Sequence, residues 1–81
     1  MEKITIYSTH QCPFCIMAKK FMDEHNIDYE NHFVDDNEEE REKMVKISGQ
    51  LGVPVILIGD RAYNGFTDSG VQKALLKNKG E

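Results

Sequence analysis

Cys12 and Cys15 are the two cysteines of the chain, and they stand three residues apart. Loop-closure entropy gives a four-residue disulfide loop only about 2 kcal/mol, against about 3 kcal/mol for fifteen residues. Such a bond cannot staple a fold. The 81 residues must therefore be held by a hydrophobic core, and chains below about a hundred residues rarely divide into two. A single domain over 1–81 is expected, burying about 60–65% of its unfolded surface.

The apolar pattern supplies the elements. Ile4 and Ile6 alternate with Thr5 and Tyr7, which predicts a strand over 3–8. Ser8 to Gln11 is polar and reads as a loop. Phe14, Met17, Ala18, Phe21 and Met22 recur at helical spacing, giving a helix from Pro13 to His25 with proline at its first position. Tyr29, Phe33 and Val34 mark a second strand within 28–34. Acids at Asp35 to Glu42 suit a helix start, Met44, Val45 and Ile47 give that helix an apolar stripe, and Gly49 or Gly52 ends it. Val53 to Ile58 reads as a buried strand, Gly59-Asp60 as a turn and 61–64 as a short strand. Thr67 or Asp68 caps a last helix with Val71, Ala74, Leu75 and Leu76 inward. The order is β-α-β-α-β-β-α, an α/β arrangement.

Several function classes are excluded. The formal net charge is -4, whereas nucleic-acid binding draws its affinity from a basic surface. The longest apolar run, Val53 to Ile58, is far short of the roughly 18 residues of a membrane span. The acidic run fails as a calcium loop, because Glu40 stands where glycine is needed and Lys46 where the closing glutamate is needed. Structural zinc takes four ligands, and a second cysteine pair is absent. No metal ligands are assigned. The first residues lack the apolar core of a signal peptide, so a cytoplasmic site is expected. Thiols stay reduced there, and a close cysteine pair is then catalytic or metal-binding rather than structural.

Cys12-Pro13-Phe14-Cys15 follows a strand and opens a helix. A helix start presents unpaired N–H groups and a partial positive charge, and both favour a thiolate. Cys12 sits at those donors, while Cys15 is one turn inside and better shielded. This assigns Cys12 as the attacking thiol and Cys15 as the resolving thiol. His10 reads as an exposed loop residue, Lys19 and Lys20 as solvated, and Phe66 as a partly exposed apolar rim beside Phe14.

With these residues in view, the chain resembles the glutaredoxin family. Cys12-Pro13-Phe14-Cys15 after the first strand, Ala18-Lys19 beyond it, Val53-Pro54 at the third strand and Gly65-Phe66-Thr67-Asp68 before the last helix match in order. The resemblance implies a thioredoxin-like fold, a four-stranded mixed sheet flanked by three helices. It implies a cis Pro54, with Val53 pairing with substrate through its backbone. It also implies Phe14 beside the dithiol, and Thr67 and Asp68 at the γ-glutamyl end of glutathione. Thr9 stands where many members have lysine, Gly52 where threonine is common, and Asn64-Gly65-Phe66 where Gly-Gly is usual. The Gly-Phe pair is closer to glutaredoxin-like redoxins that serve ribonucleotide reductase and are reduced by thioredoxin reductase.

The expectation is a monomeric dithiol thiol–disulfide oxidoreductase of protein disulfides and glutathione mixed disulfides. It holds no tightly bound cofactor and uses glutathione as reducing cosubstrate. Two alternatives stay open: a redoxin reduced by thioredoxin reductase, and a dimer carrying an iron–sulfur cluster.

Overall fold

The alternation of Ile4 and Ile6 with Thr5 and Tyr7 forms a strand in the computed structural model, β1 (Ile4–Ser8), and the model describes residues 2–67 and 69–80. The remaining elements are α1 (Pro13–Glu24), β2 (Glu30–Phe33), α2 (Glu38–Ser48), β3 (Val55–Ile58), β4 (Arg61–Asn64) and α3 (Val71–Lys79). The expected order is therefore observed. The strands form one mixed sheet in the order β2-β1-β3-β4. β1 and β2 are parallel, which requires a long crossover, and the twelve-residue α1 supplies it. β1 with β3 and β3 with β4 are antiparallel.

Strand periodicity decides which residues meet. Ile4 lies opposite Ile58 and Ile6 opposite Ile56. These four pack with Ala18 and Met22 of α1 and with Val71 and Leu75 of α3. The alternate positions, Tyr7 opposite Val55, pack with Val34 and with Met44 of α2. One face of the sheet thus carries α1 and α3, and the other carries α2. Among the described residues no helix is long and apolar enough to cross a membrane.

Local chemistry sets the helix ends. α1 begins at the N-cap Cys12 with Pro13 at its first position. It ends in a Schellman motif: Ile27 N–H donates to the Met22 carbonyl at 2.8 Å and Asn26 N–H to Asp23 at 3.2 Å. Asn26 takes the left-handed conformation this requires, at φ 55°. The Asn37 side chain caps α2 by accepting from Glu40 N–H at 3.2 Å, and Gly49 closes that helix at φ 77°.

Three expectations need correction. β3 starts at Val55 rather than Val53, because Pro54 has no N–H to give to a ladder. Thr67 does not cap α3. The N-cap is Gly70 at φ 79°, with no side-chain cap bond of its own, and Ser69 Oγ accepts from Val71 N–H at 3.3 Å. The alternative cap, Asp68, lies outside the described residues. Phe66 is not a rim residue: it is 5% exposed and meets Phe21 edge-on at 5.6 Å.

Candidate active site

The sheet register brings four segments to one end of the molecule. Ser8 ends β1 opposite Phe33, so the loop 9–12 and the segment 34–36 leave the sheet together. Tyr7 pairs with Val55 and Val55 with Asn64, so Val53-Pro54 and the turn at 65–67 lie at the same end. Residues distant in sequence meet here because of strand pairing, not because of any local motif.

Cys12 has extended backbone angles, φ -141° and ψ 103°, as an N-cap requires. Its Sγ accepts from Cys15 N–H at 3.2 Å, and its carbonyl accepts from Ile16 N–H at 3.1 Å. The first turn of α1 contains no acidic residue, so no carboxylate there opposes negative charge on this sulfur. Cys12 and Cys15 are joined as a disulfide, with Cα atoms 5.2 Å apart. Cys12 is 8% exposed and Cys15 is fully buried. Cys12 is thus the more exposed of the two cysteines. Phe14, Ile16 and Met17 are exposed on the same helix, while Ala18 and Met22 hold its inner face.

The Val53–Pro54 peptide is cis, as the resemblance implied. Pro54 is fully buried, and its carbonyl accepts from Gly65 N–H at 2.9 Å. Val53 is half-buried and packs against the α2-side core. Thr67 is exposed at the same end. Ser69 Oγ donates to the Gly65 carbonyl at 2.9 Å, which ties this turn to the start of α3.

The structure adds a cluster that spacing did not reveal. His10 N–H donates to Asp35 Oδ2 at 3.1 Å. The His10 ring Nδ1 lies 3.0 Å from both oxygens of that carboxylate. The ring stacks on Phe33 with centroids 3.8 Å apart and planes 13° apart. Lys19 Nζ lies 4.6 Å from the centroid of the Phe33 ring, and desolvation lowers the lysine's pKa. The hydrogen bonds from the His10 side chain and backbone hold the Asp35 carboxyl below its ordinary value of 3.8. Asp36 joins His10 and Asp35 with ligand-type atoms all within 4.8 Å, and all three residues are exposed. The hydrogen bonds between His10 and Asp35 draw two of these three residues together.

A family model for glutaredoxin matches residues 4–63. The chain is 40% identical over 74 residues to a glutaredoxin-like 8.6 kDa protein in the rubredoxin operon of Clostridium pasteurianum, spanning 91% of this chain and 99% of the relative. It is 36% identical over 70 residues to the glutaredoxin-like protein NrdH of Lactococcus lactis subsp. lactis, spanning 86% and 96%. Its structure is similar to that of a glutaredoxin from Archaeoglobus fulgidus, with a TM-score of 0.81 and 27% identity over 95% of this chain and 88% of the other.

Proposed function

The chain belongs to the glutaredoxin family, and from that premise we propose that it is a dithiol thiol–disulfide oxidoreductase working through Cys12 and Cys15. The observation that carries this reading is the sulfur of Cys12 at the start of α1, accepting from Cys15 N–H at 3.2 Å. In the reduced protein the same donor and the helix start stabilise a Cys12 thiolate. That thiolate attacks one sulfur of a substrate disulfide. An S–S bond forms to Cys12, and the other substrate sulfur leaves as a thiolate. Cys15, deprotonated, then attacks the Cys12 sulfur and displaces the second substrate thiolate. Two electrons pass to the substrate, and Cys12–Cys15 remains as the disulfide found in the structure.

Phe14 is proposed to border the incoming disulfide, half exposed beside the pair. Val53 and Pro54 are proposed as the backbone surface against which the substrate lies. Glutathione is proposed as the reducing cosubstrate, with Thr67 and Asp68 as the site of its γ-glutamyl end. A helix start holds a carboxylate through its N–H groups, and an aspartate meets an ammonium. Protein disulfides and glutathione mixed disulfides are the proposed substrates, handled by a monomer in the cytoplasm, with no tightly bound cofactor.

A second reading changes only the electron donor. The likeness to a protein named NrdH, together with Thr9 and Gly65-Phe66, favours reduction by thioredoxin reductase. One comparison tests the two. Turnover of a disulfide substrate is followed with NADPH and either glutathione plus glutathione reductase or thioredoxin reductase alone. Turnover in the first system supports the glutathione reading. Turnover confined to the second removes it, and with it the proposed role of Thr67 and Asp68.

A further inference from the structure

We propose that His10 and Asp35 are a positioning pair for Cys12, a role that rests on the oxidoreductase reading given above. Between the end of β1 at Ser8 and the N-cap Cys12 lie only Thr9, His10 and Gln11. This loop decides where the sulfur of Cys12 sits relative to the first N–H groups of α1. His10 is its middle residue. Its backbone N–H and its ring both reach the Asp35 carboxylate, at 3.1 and 3.0 Å, and its ring lies flat on Phe33 at 3.8 Å.

Those partners stand on the sheet side. Phe33 is the last residue of β2, and the next residue, Val34, donates its N–H to the Ser8 carbonyl at 2.8 Å. Asp35 is thus placed by main-chain bonds rather than by its own exposed side chain. Lys19 of α1 covers the Phe33 ring at 4.6 Å, so the helix that carries the dithiol joins the same stack. Among the described residues, Asp35 and Asp36 from the segment after β2 gather at His10, and Lys19 from α1 lies over the Phe33 ring on which His10 stacks. The ring needs only an Nδ1–H to hold Asp35, and a neutral or a protonated imidazole both supply it. The effect of this clamp is geometric: it keeps Cys12 Sγ within reach of Cys15 N–H.

Geometry and charge make opposite forecasts, which gives the test. The reduced protein is alkylated with iodoacetamide across pH, and the midpoint of the rate profile reports the thiolate of Cys12. Loss of the clamp loosens the cap, so His10→Ala and Asp35→Ala should each raise the midpoint by about half a unit. That corresponds to an approximately threefold slower rate at pH values below the midpoint. The double variant should match Asp35→Ala, because that change alone removes both the ring and the backbone contact with residue 10. Asp35→Asn keeps an acceptor and should stay near the wild-type midpoint. A simple charge effect would instead lower the midpoint in both Asp35→Ala and Asp35→Asn, since each removes an anion. That result, or an unchanged midpoint in both alanine variants, overturns the pair. Should His10→Ala lose its far-UV circular dichroism, Asp35→Ala against Asp35→Asn decides the matter alone. The readout needs no turnover. A displaced midpoint without oxidoreductase activity would keep the pair and remove the proposed reaction.

Discussion

At the scale of single residues, Cys12 and Cys15 are chemically identical side chains made unequal by one helical turn. Cys12 keeps 8% of its surface and Cys15 none. Only Cys12 accepts the N–H of its partner. Their substitutions should therefore differ. Cys12→Ser should abolish reduction of every disulfide substrate, since a serine hydroxyl cannot form the mixed disulfide. Cys15→Ser should abolish turnover of protein disulfides but leave a measurable fraction with a glutathionylated peptide, because free glutathione can resolve the mixed disulfide. Both are read in a coupled NADPH assay, and full activity of Cys12→Ser would sink the mechanism. The difference in exposure between the two cysteines was legible from position alone, because an N-cap and a residue one turn inside differ in any helix. Phe66 was not legible. An aromatic residue beside glycine in a turn offers no periodicity, and its burial and its contact with Phe21 at 5.6 Å show that it belongs to the core.

At the scale of elements, the alternation of β1, Ala18 and Met22 of α1 and Met44 of α2 were plain in the sequence because burial imposes a period on them, whereas Phe14, Met17 and Ile47, expected in the same stripes, are exposed. The start of α3 was not. Thr67, Asp68, Ser69 and Gly70 offer four successive residues with cap chemistry. The choice among them falls to Gly70 and its φ of 79°, and it depends on how the chain leaves β4. That exit is fixed from elsewhere, by Gly65 N–H on the Pro54 carbonyl and by the burial of Phe66. The His10–Asp35 pair was hidden for a related reason, since parallel pairing of β1 and β2 joins residues 25 apart. α2 shows how little can anchor an element. Met44 is its one buried residue among those described, packed with Tyr7, Val34 and Val55. Met44→Ala should cost about 2–5 kcal/mol through lost burial and the cavity left behind. Ile47→Ala, at a position 42% exposed, should change stability by less than about 0.5 kcal/mol. Urea unfolding of the two variants checks this, and equal costs would mean that α2 is not held by its buried methionine.

At the scale of the whole molecule, the charges set how folding depends on pH. Glu30 is held below its ordinary 4.5, first by the hydrogen bond from Lys3 and then by that from His32. Asp35 is held below 3.8 by His10. For both, the unfolded chain takes up protons at a higher pH than the folded one. Their stabilisation is therefore present above those ordinary values and is lost as pH falls through them toward the folded ones. At the other end, burial raises Tyr7 and Tyr29 above 10.0, and Glu30 raises Lys3 above 10.5. Here the unfolded chain releases protons first, so stability declines as pH rises past 10.0. Lys19, lowered by desolvation, acts in the opposite sense and softens that decline. The acid side gives the cleaner experiment, because its two carboxylates lie on one strand and the segment after it. The urea midpoint of the wild type should fall as pH is lowered from about 5 to 3. In a Glu30→Gln/Asp35→Asn variant neither group titrates, so the fall over that range should be shallower. Both carboxylates are exposed, so raising salt should flatten the wild-type curve toward that of the variant. Parallel curves for the two proteins would show that these ion pairs do not control the acid limb.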